Sequence, residues 1–136
     1  MSEALWRWVA LEAVYAIHDE QIAEHGGVSR LRDEGLFLSA LARPQHLVAY
    51  GAPDVADLAA SYAEGIARNP PFVDGNERIA LVVSAGLFLP LNGYQVVADN
   101  TALIRMMLAV ADGSMSEEEL AAWFRTYMQQ FSMGHK

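Results

Sequence analysis

Cysteine is absent from the 136 residues. That excludes disulfides, thiolate zinc sites and a cysteine nucleophile. Bases are scarce: there are nine, scattered arginines and the terminal Lys136, against 17 acids, for a net charge of −8. A protein that grips nucleic acid through its phosphates usually carries a basic face, so no direct nucleic-acid binding is expected. Long apolar runs are missing too. The longest, Ile79 to Leu91, is too short to span a bilayer, and no membrane partner is expected. The opening MSEALWRWVALEAV carries Glu3 and lacks a basic stretch with a cleavage site, so no signal peptide is expected. Together these absences imply a cytoplasmic protein.

What is present suits a single domain over residues 1–136, long enough to bury a core without crosslinks. Hydrophobic residues make up 53% and charged residues 19%, which excludes a disordered chain. No repeat, linker or low-complexity segment interrupts it.

Helical spacing dominates. Apolar residues from Trp8 to Ile22 predict a helix over about 5–24, ended by Gly26-Gly27. Asp33 caps a second expected helix that runs through Leu41 and stops near Pro44, with residues 44–53 as a connector. Asp54 is a good N-cap for a third, to about Arg68. Asn69-Pro70-Pro71 breaks it, because proline disfavours the α region in the residue before it. Asn76 to Leu91 is apolar nearly all round, the mark of a buried helix. Pro90 is expected to kink or end it, with Asn92-Gly93 as C-cap and a short extended piece over Tyr94–Ala98. A further helix runs from about Asp99 to Asp112-Gly113. The last opens on a Ser116/Glu119 capping box and carries Leu120, Trp123, Phe124, Tyr127, Met128 and Phe131 on one stripe. Met106-Met107 and that stripe read as core. Trp6 and Trp8, alternate residues on a helix, cannot both face inward, so one is expected to be exposed as a partner contact. The fold class is all-α: a helical bundle around a buried central helix at about 76–91.

One segment does not read as packing: Pro71-Phe72-Val73-Asp74-Gly75-Asn76-Glu77-Arg78. Asp74-Gly75-Asn76 forms a tight turn at the mouth of the buried helix. The N–H groups of Gly75, Asn76, Glu77 and Arg78 are then donors without helical partners, a nest suited to phosphate oxygens. Arg78 adds a fork for phosphate, and Asp74 is a carboxylate suited to Mg²⁺ beside it. Phe72 points inward as the anchor. The plainer reading is a helix start capped by Asp74 or Asn76, because a D-G-N turn is common. Chemistry alone leaves both open.

The run F-V-D-G-N-x-R at the start of a buried helix resembles the signature of the Fic/Doc superfamily. Ile17-His18-Asp19 through Gly26-Gly27, Leu31-Arg32-Asp33-Glu34-Gly35-Leu36, Ser39 to Gln45, and Leu87-Phe88-Leu89 with Leu91-Asn92-Gly93-Tyr94 also resemble its Doc branch, the "death on curing" toxins. The resemblance covers roughly residues 14–125. It implies a Fic-like fold and the toxin of a toxin–antitoxin pair that moves a phosphoryl group from ATP, with Mg²⁺, to elongation factor Tu. The implied partner is a Phd-like antitoxin. Carried over by position, the resemblance gives Asp74 the metal-side role, Gly75 and Asn76 the nest, Arg78 a grip on phosphate, and Arg68 an assisting place.

Two positions depart from that pattern. The family's general-base His, two residues before the Phe, is Pro70 here. Proline cannot accept a proton, and losing a general base costs about 10²–10⁴ in rate. The usual Lys between Asn and Arg is Glu77. Facing the ligand, a carboxylate about 4 Å from phosphate is repelled by roughly 1–4 kcal/mol; facing solvent it only suits a helix first turn. His18, His25, His46 and His135 lie elsewhere in sequence, and His18 reads as structural. The chain is therefore expected to be weak or inactive as an enzyme, either as a pseudo-enzyme or through inactivating changes. Two other readings stand beside it: a non-catalytic interaction module, and an adenylyltransferase, which ranks last. Ser114 to Glu118 has the spacing of the family's inhibitory motif, but Glu119 follows, so inhibition is expected from another chain.

Overall fold

The computed structural model describes residues 6–27 and 31–131. Among these residues, seven α-helical segments enclose the core: α1 (Leu11–His25), α2 (Glu34–Tyr50), α3 (Val55–Arg68), α4 (Asn76–Leu81), α5 (Leu89–Leu91), α6 (Asn100–Ala111) and α7 (Glu117–Tyr127). A π-helical segment, Val82–Phe88, joins α4 to α5. The all-α expectation holds, with one two-stranded ribbon added. No helix among the described residues is long and apolar enough to cross a membrane.

Caps form where the sequence places them. Asp54 and Asp57 close a capping box on α3, Ser116 and Glu119 close one on α7, and Asp33 and Asp99 cap α2 and α6. The expected helix over 76–91 is continuous, but its middle is widened. In an α-helix the Pro90 ring would clash with the Gly86 carbonyl four residues back. In the π segment, Leu89 N–H instead reaches Ser84 O, one residue further. That helix shares the centre with α3, which is buried along almost its whole length on Ala56, Leu58, Ala59, Ala60, Tyr62, Ala63 and Ile66. Its small residues permit close approach: a Cβ on Gly65 would sit 3.3 Å from Ala40 of α2. Met106, Met107, Leu120 and Phe124 fill the other side of the core, as their spacing predicts.

Four expectations are corrected. The first helix does not start near residue 5, which lies outside the described residues; residues 6–10 are not helical, Ala10 is extended, and α1 begins at Leu11. Outside a helix, alternate residues are not forced to opposite sides. Trp6 and Trp8 therefore both reach Phe88, at ring separations of 6.4 and 6.0 Å, and neither is the free contact expected of a helix. Asn92 pins this segment through both polar groups of the Arg7 backbone, and Val9 N–H donates to the Tyr62 hydroxyl. Second, Pro44 does not stop α2, which runs on to Tyr50 with the Pro44 ring buried; packing against α3 outweighs the missing hydrogen bond. Third, α7 ends at Tyr127. Met128–Gln130 (β2) leaves the helical stripe and pairs antiparallel with Tyr94–Val96 (β1), Tyr94 opposite Gln130. The backbone groups of β1 need partners, and Phe131 N–H also closes onto Gly93 O at 3.0 Å. Fourth, Gly75, not Asp74 or Asn76, is the N-cap of α4.

Candidate functional site

The segment from Pro70 to Arg78 leaves the end of α3 and enters α4 as an ordered loop. Phe72 anchors it. Its ring is 2% exposed, lies 5.2 Å from Phe37, and stacks on His18 at 3.8 Å. Asn76 staples the turn: Phe72 N–H donates to Asn76 Oδ1 at 3.0 Å, and Asn76 Nδ2 donates to Phe72 O at 2.9 Å. Gly75, between them in the turn, takes φ +80°, the left-handed region that a side chain resists. The first N–H groups of α4 then face out of the helix mouth without helical acceptors, and Ile79 N–H is the one that closes onto Gly75 O.

The start of the loop is held from α2's side. Leu31 bridges Phe72 in antiparallel fashion. The N–H groups of Arg32 and Asp33 both donate to Pro71 O, and the Arg32 guanidinium forks onto Pro70 O. Arg32 is a contributor that the sequence reading missed. Its only signal was its place in the Leu31–Leu36 run.

His18 is 2% exposed and its Nε2 lies 2.9 Å from Asp74 O. With one ring face on Phe72, it supports the loop and has no opening onto it, in agreement with the structural reading. Gly27 was missed as well. At φ +116° it packs so tightly on the site that a Cβ there would meet Asp74 Cβ and Ile22 Cδ1 at 3.1 Å.

The expected site residues are brought together with one exception. Asp74, Glu77 and Arg78 are exposed around the Gly75 turn, Asn76 is buried beneath it, and Pro70 opens the segment half-buried. The Arg78 guanidinium folds back toward Gly75, where Nη1 would lie 3.9 Å from an added Cβ. Arg68 is the exception. It pairs with Glu64 at 3.2 Å and lies against Gly113 in the turn between α6 and α7. Burial pushes the Glu64 carboxyl above its ordinary range, with Arg68 opposing. An assisting phosphate contact from Arg68 would compete with this exposed ion pair.

Chemically, the loop offers N–H groups at the helix mouth, one guanidinium and two carboxylates, of which Asp74 is the one suited to a metal. That set suits a phosphate-bearing ligand, with Mg²⁺ held by a carboxylate and by the phosphates themselves. No group of three or more His, Asp or Glu side chains among the described residues is placed to hold a metal ion by itself. Glu77 works against an anion, and Pro70 offers no proton acceptor other than a carbonyl already bound by Arg32.

Comparison with known proteins agrees with this geometry. The family described as Fic/DOC matches residues 8–88. The chain is 35% identical over 120 residues to "Protein kinase doc" of Escherichia phage P1, covering 88% of this chain and 94% of that one. It is 46% identical over 77 residues to "Toxin Doc" of Mycolicibacterium smegmatis, covering 54% of this chain and 58% of that one.

Proposed function

The chain belongs to the Fic/DOC family, and on that premise we propose that it is a Doc-type toxin of a toxin–antitoxin pair. Its family chemistry is phosphoryl transfer from ATP to elongation factor Tu, and its partner is a Phd-like antitoxin that acts in the cytoplasm. The observation that carries the reading is the intact loop. Asn76, Gly75, Phe72 and His18 hold it as an anion-ready turn, and relatives named as a kinase and a toxin resemble the chain that bears it. When bound, ATP with Mg²⁺ would supply the phosphoryl group. Asp74 would hold the metal, and Gly75, Asn76 and Arg78 the phosphates.

The same loop argues that this chain is weak or silent as a catalyst. The target hydroxyl must give up its proton, and the residue in the position of the base is Pro70. His18 cannot substitute while it is buried against Phe72 and Asp74 O. A second reading, a non-catalytic interaction module, is favoured by Pro70 and by the exposed charge of Glu77.

The test is growth of a bacterial culture after induction of this chain, beside its Pro70→His, Glu77→Lys double variant. The expected result is arrest by the variant alone, with radiolabel from the γ-phosphate of ATP appearing in elongation factor Tu. Arrest by the unaltered chain would show that another residue does the work of the base. No arrest by either, with both folded, removes the catalytic reading. Mg²⁺–ATP binding then decides between an inactive enzyme that still binds nucleotide and a module that does not. Label from the α-phosphate would instead mark an adenylyltransferase.

A further inference from the structure

Two separate sets of hydrogen bonds hold the loop. Residues 72–76 close on themselves: Asn76 binds both polar backbone groups of Phe72, and Gly75 turns between them. Residues 70 and 71 lie outside that closure and are held from another element. The N–H groups of Arg32 and Asp33 reach Pro71 O at 2.6 and 3.1 Å, and Arg32 Nε and Nη2 both donate to Pro70 O. Asp33 also caps α2, so this clamp is seated on a helix end. No carboxylate pairs with Arg32 among the described residues. Its guanidinium is committed to one carbonyl.

A peptide group is planar. Holding Pro70 O and Pro71 O therefore places the Cα of residue 70, and Pro71 keeps residue 70 extended. The ring of Pro70 adds a fixed φ of its own, so here the ring and Arg32 act together. With any other residue at position 70 that φ is released, and the grip of Arg32 is what remains.

We propose that Arg32 is the positioning residue for position 70: by holding that residue's carbonyl it fixes where a side chain there starts, independently of the phosphate turn. This rests on the proposed reading, in which position 70 is the place of the general base. The loop then has two separable halves, a turn that takes phosphate and a base position that Arg32 sets. A misplaced base slows the reaction of a substrate that still binds.

The test starts from the Pro70→His, Glu77→Lys chain and adds Arg32→Met or Arg32→Lys. Transfer of the γ-phosphate to elongation factor Tu gives kcat and the KM for ATP. Arg32→Met is expected to lower kcat about tenfold and to leave KM within about twofold. Arg32→Lys keeps a charged donor without the fork and is expected to recover part of kcat. Arg105→Met removes the same charge from an exposed position of α6 and is expected to change neither. Unchanged kcat in Arg32→Met would overturn the proposal. So would a raised KM at constant kcat, which would make Arg32 a nucleotide ligand. NMR of the same chains reads the geometry without any transfer, and it decides alone if none of them is active. Arg32→Met is expected to shift the carbonyl carbon of residue 70 and to leave the Gly75 and Asn76 amides in place. A carbonyl that does not shift, or Gly75 and Asn76 amides that move with it, would overturn the proposal.

Discussion

The side chain of Asn76 and the backbone of Phe72 satisfy each other completely, N–H to Oδ1 and Nδ2 to carbonyl, within a buried turn. This pair closes the turn from within, while Arg32 holds its start from α2's side. Stranding one buried group costs about 1–3 kcal/mol, so Asn76→Ala is expected to lower stability by about 2–4 kcal/mol in urea unfolding. Asn76→Asp keeps the acceptor and loses the donor, and is expected to fall between. If Asn76→Ala unfolds at the same urea concentration as the parent, the turn is held by Phe72 packing alone.

Gly27 packs against Asp74 with no room for a side chain. Ala at residue 27 would meet Asp74 Cβ at 3.1 Å from a backbone at φ +116°. The left-handed strain costs about 1–2 kcal/mol, and the contact displaces the carboxylate. Gly27→Ala is therefore expected to perturb the amide resonances of Asp74 and Gly75 and to weaken Mg²⁺-dependent nucleotide binding. Gly26→Ala, with open space around it, shares the positive φ but not the contact. It is expected to lose stability without changing that binding. Equal effects of the two on binding would show that the approach to Asp74 has no role.

The helix caps, the buried 76–91 helix and the loop itself were legible, because each has a local cause. Asp54 and Ser116 carry their own acceptors, and Gly75 supplies its own positive φ. What escaped depends on distant partners. Pro44 looks like a stop until α3 is packed on α2. Met128 and Phe131 keep helical spacing, but the open backbone of β1, over thirty residues earlier, draws them into a strand. Trp6 and Trp8 are a puzzle only on a helix. Arg32 and Gly27 carry no mark in one dimension, since their value lies in reaching Pro70 O and Asp74 across the fold. Arg68 stands close to the loop in sequence, and its pairing with Glu64, one helical turn back, shows only in the fold.

Glu77 is exposed in the first turn of α4, beside Arg78. The open question of its direction becomes a binding experiment. Glu77→Lys is expected to tighten ATP–Mg²⁺ binding about tenfold by calorimetry at low salt, from removal of repulsion and gain of attraction. Glu77→Gln is expected to give part of that gain. Raising the salt should narrow the difference, because exposed charges are screened. Identical affinities for all three chains would mean that Glu77 points away from the nucleotide and only favours the helix start.

Two carboxyls give the stability profile opposite slopes. Partial burial alone would raise the Asp54 carboxyl, but hydrogen bonds from Arg125 and from Asp57 N–H, with the Arg125 charge, hold it below its ordinary range. A depressed folded pKa stabilises above the unfolded value, and that contribution is lost as pH falls through the folded one, here below about pH 4. Glu64 is shifted upward by burial. Its contribution is present below the unfolded value, about pH 4.3, and is lost as pH rises through the folded one. Arg125→Met is therefore expected to flatten the acid limb of unfolding free energy against pH. Glu64→Gln is expected to lose stability relative to the parent most at low pH, where the parent's Glu64 is neutral and unpenalised, and least near pH 7. Arg125 binds both Asp54 and Asp57 and joins α7 to the N-terminus of α3, so the first effect should appear in global unfolding. An acid limb of the same slope in the parent and Arg125→Met would show that the pair contributes nothing to stability. A Glu64→Gln difference that grows toward pH 7 would reverse the sign assigned to its burial.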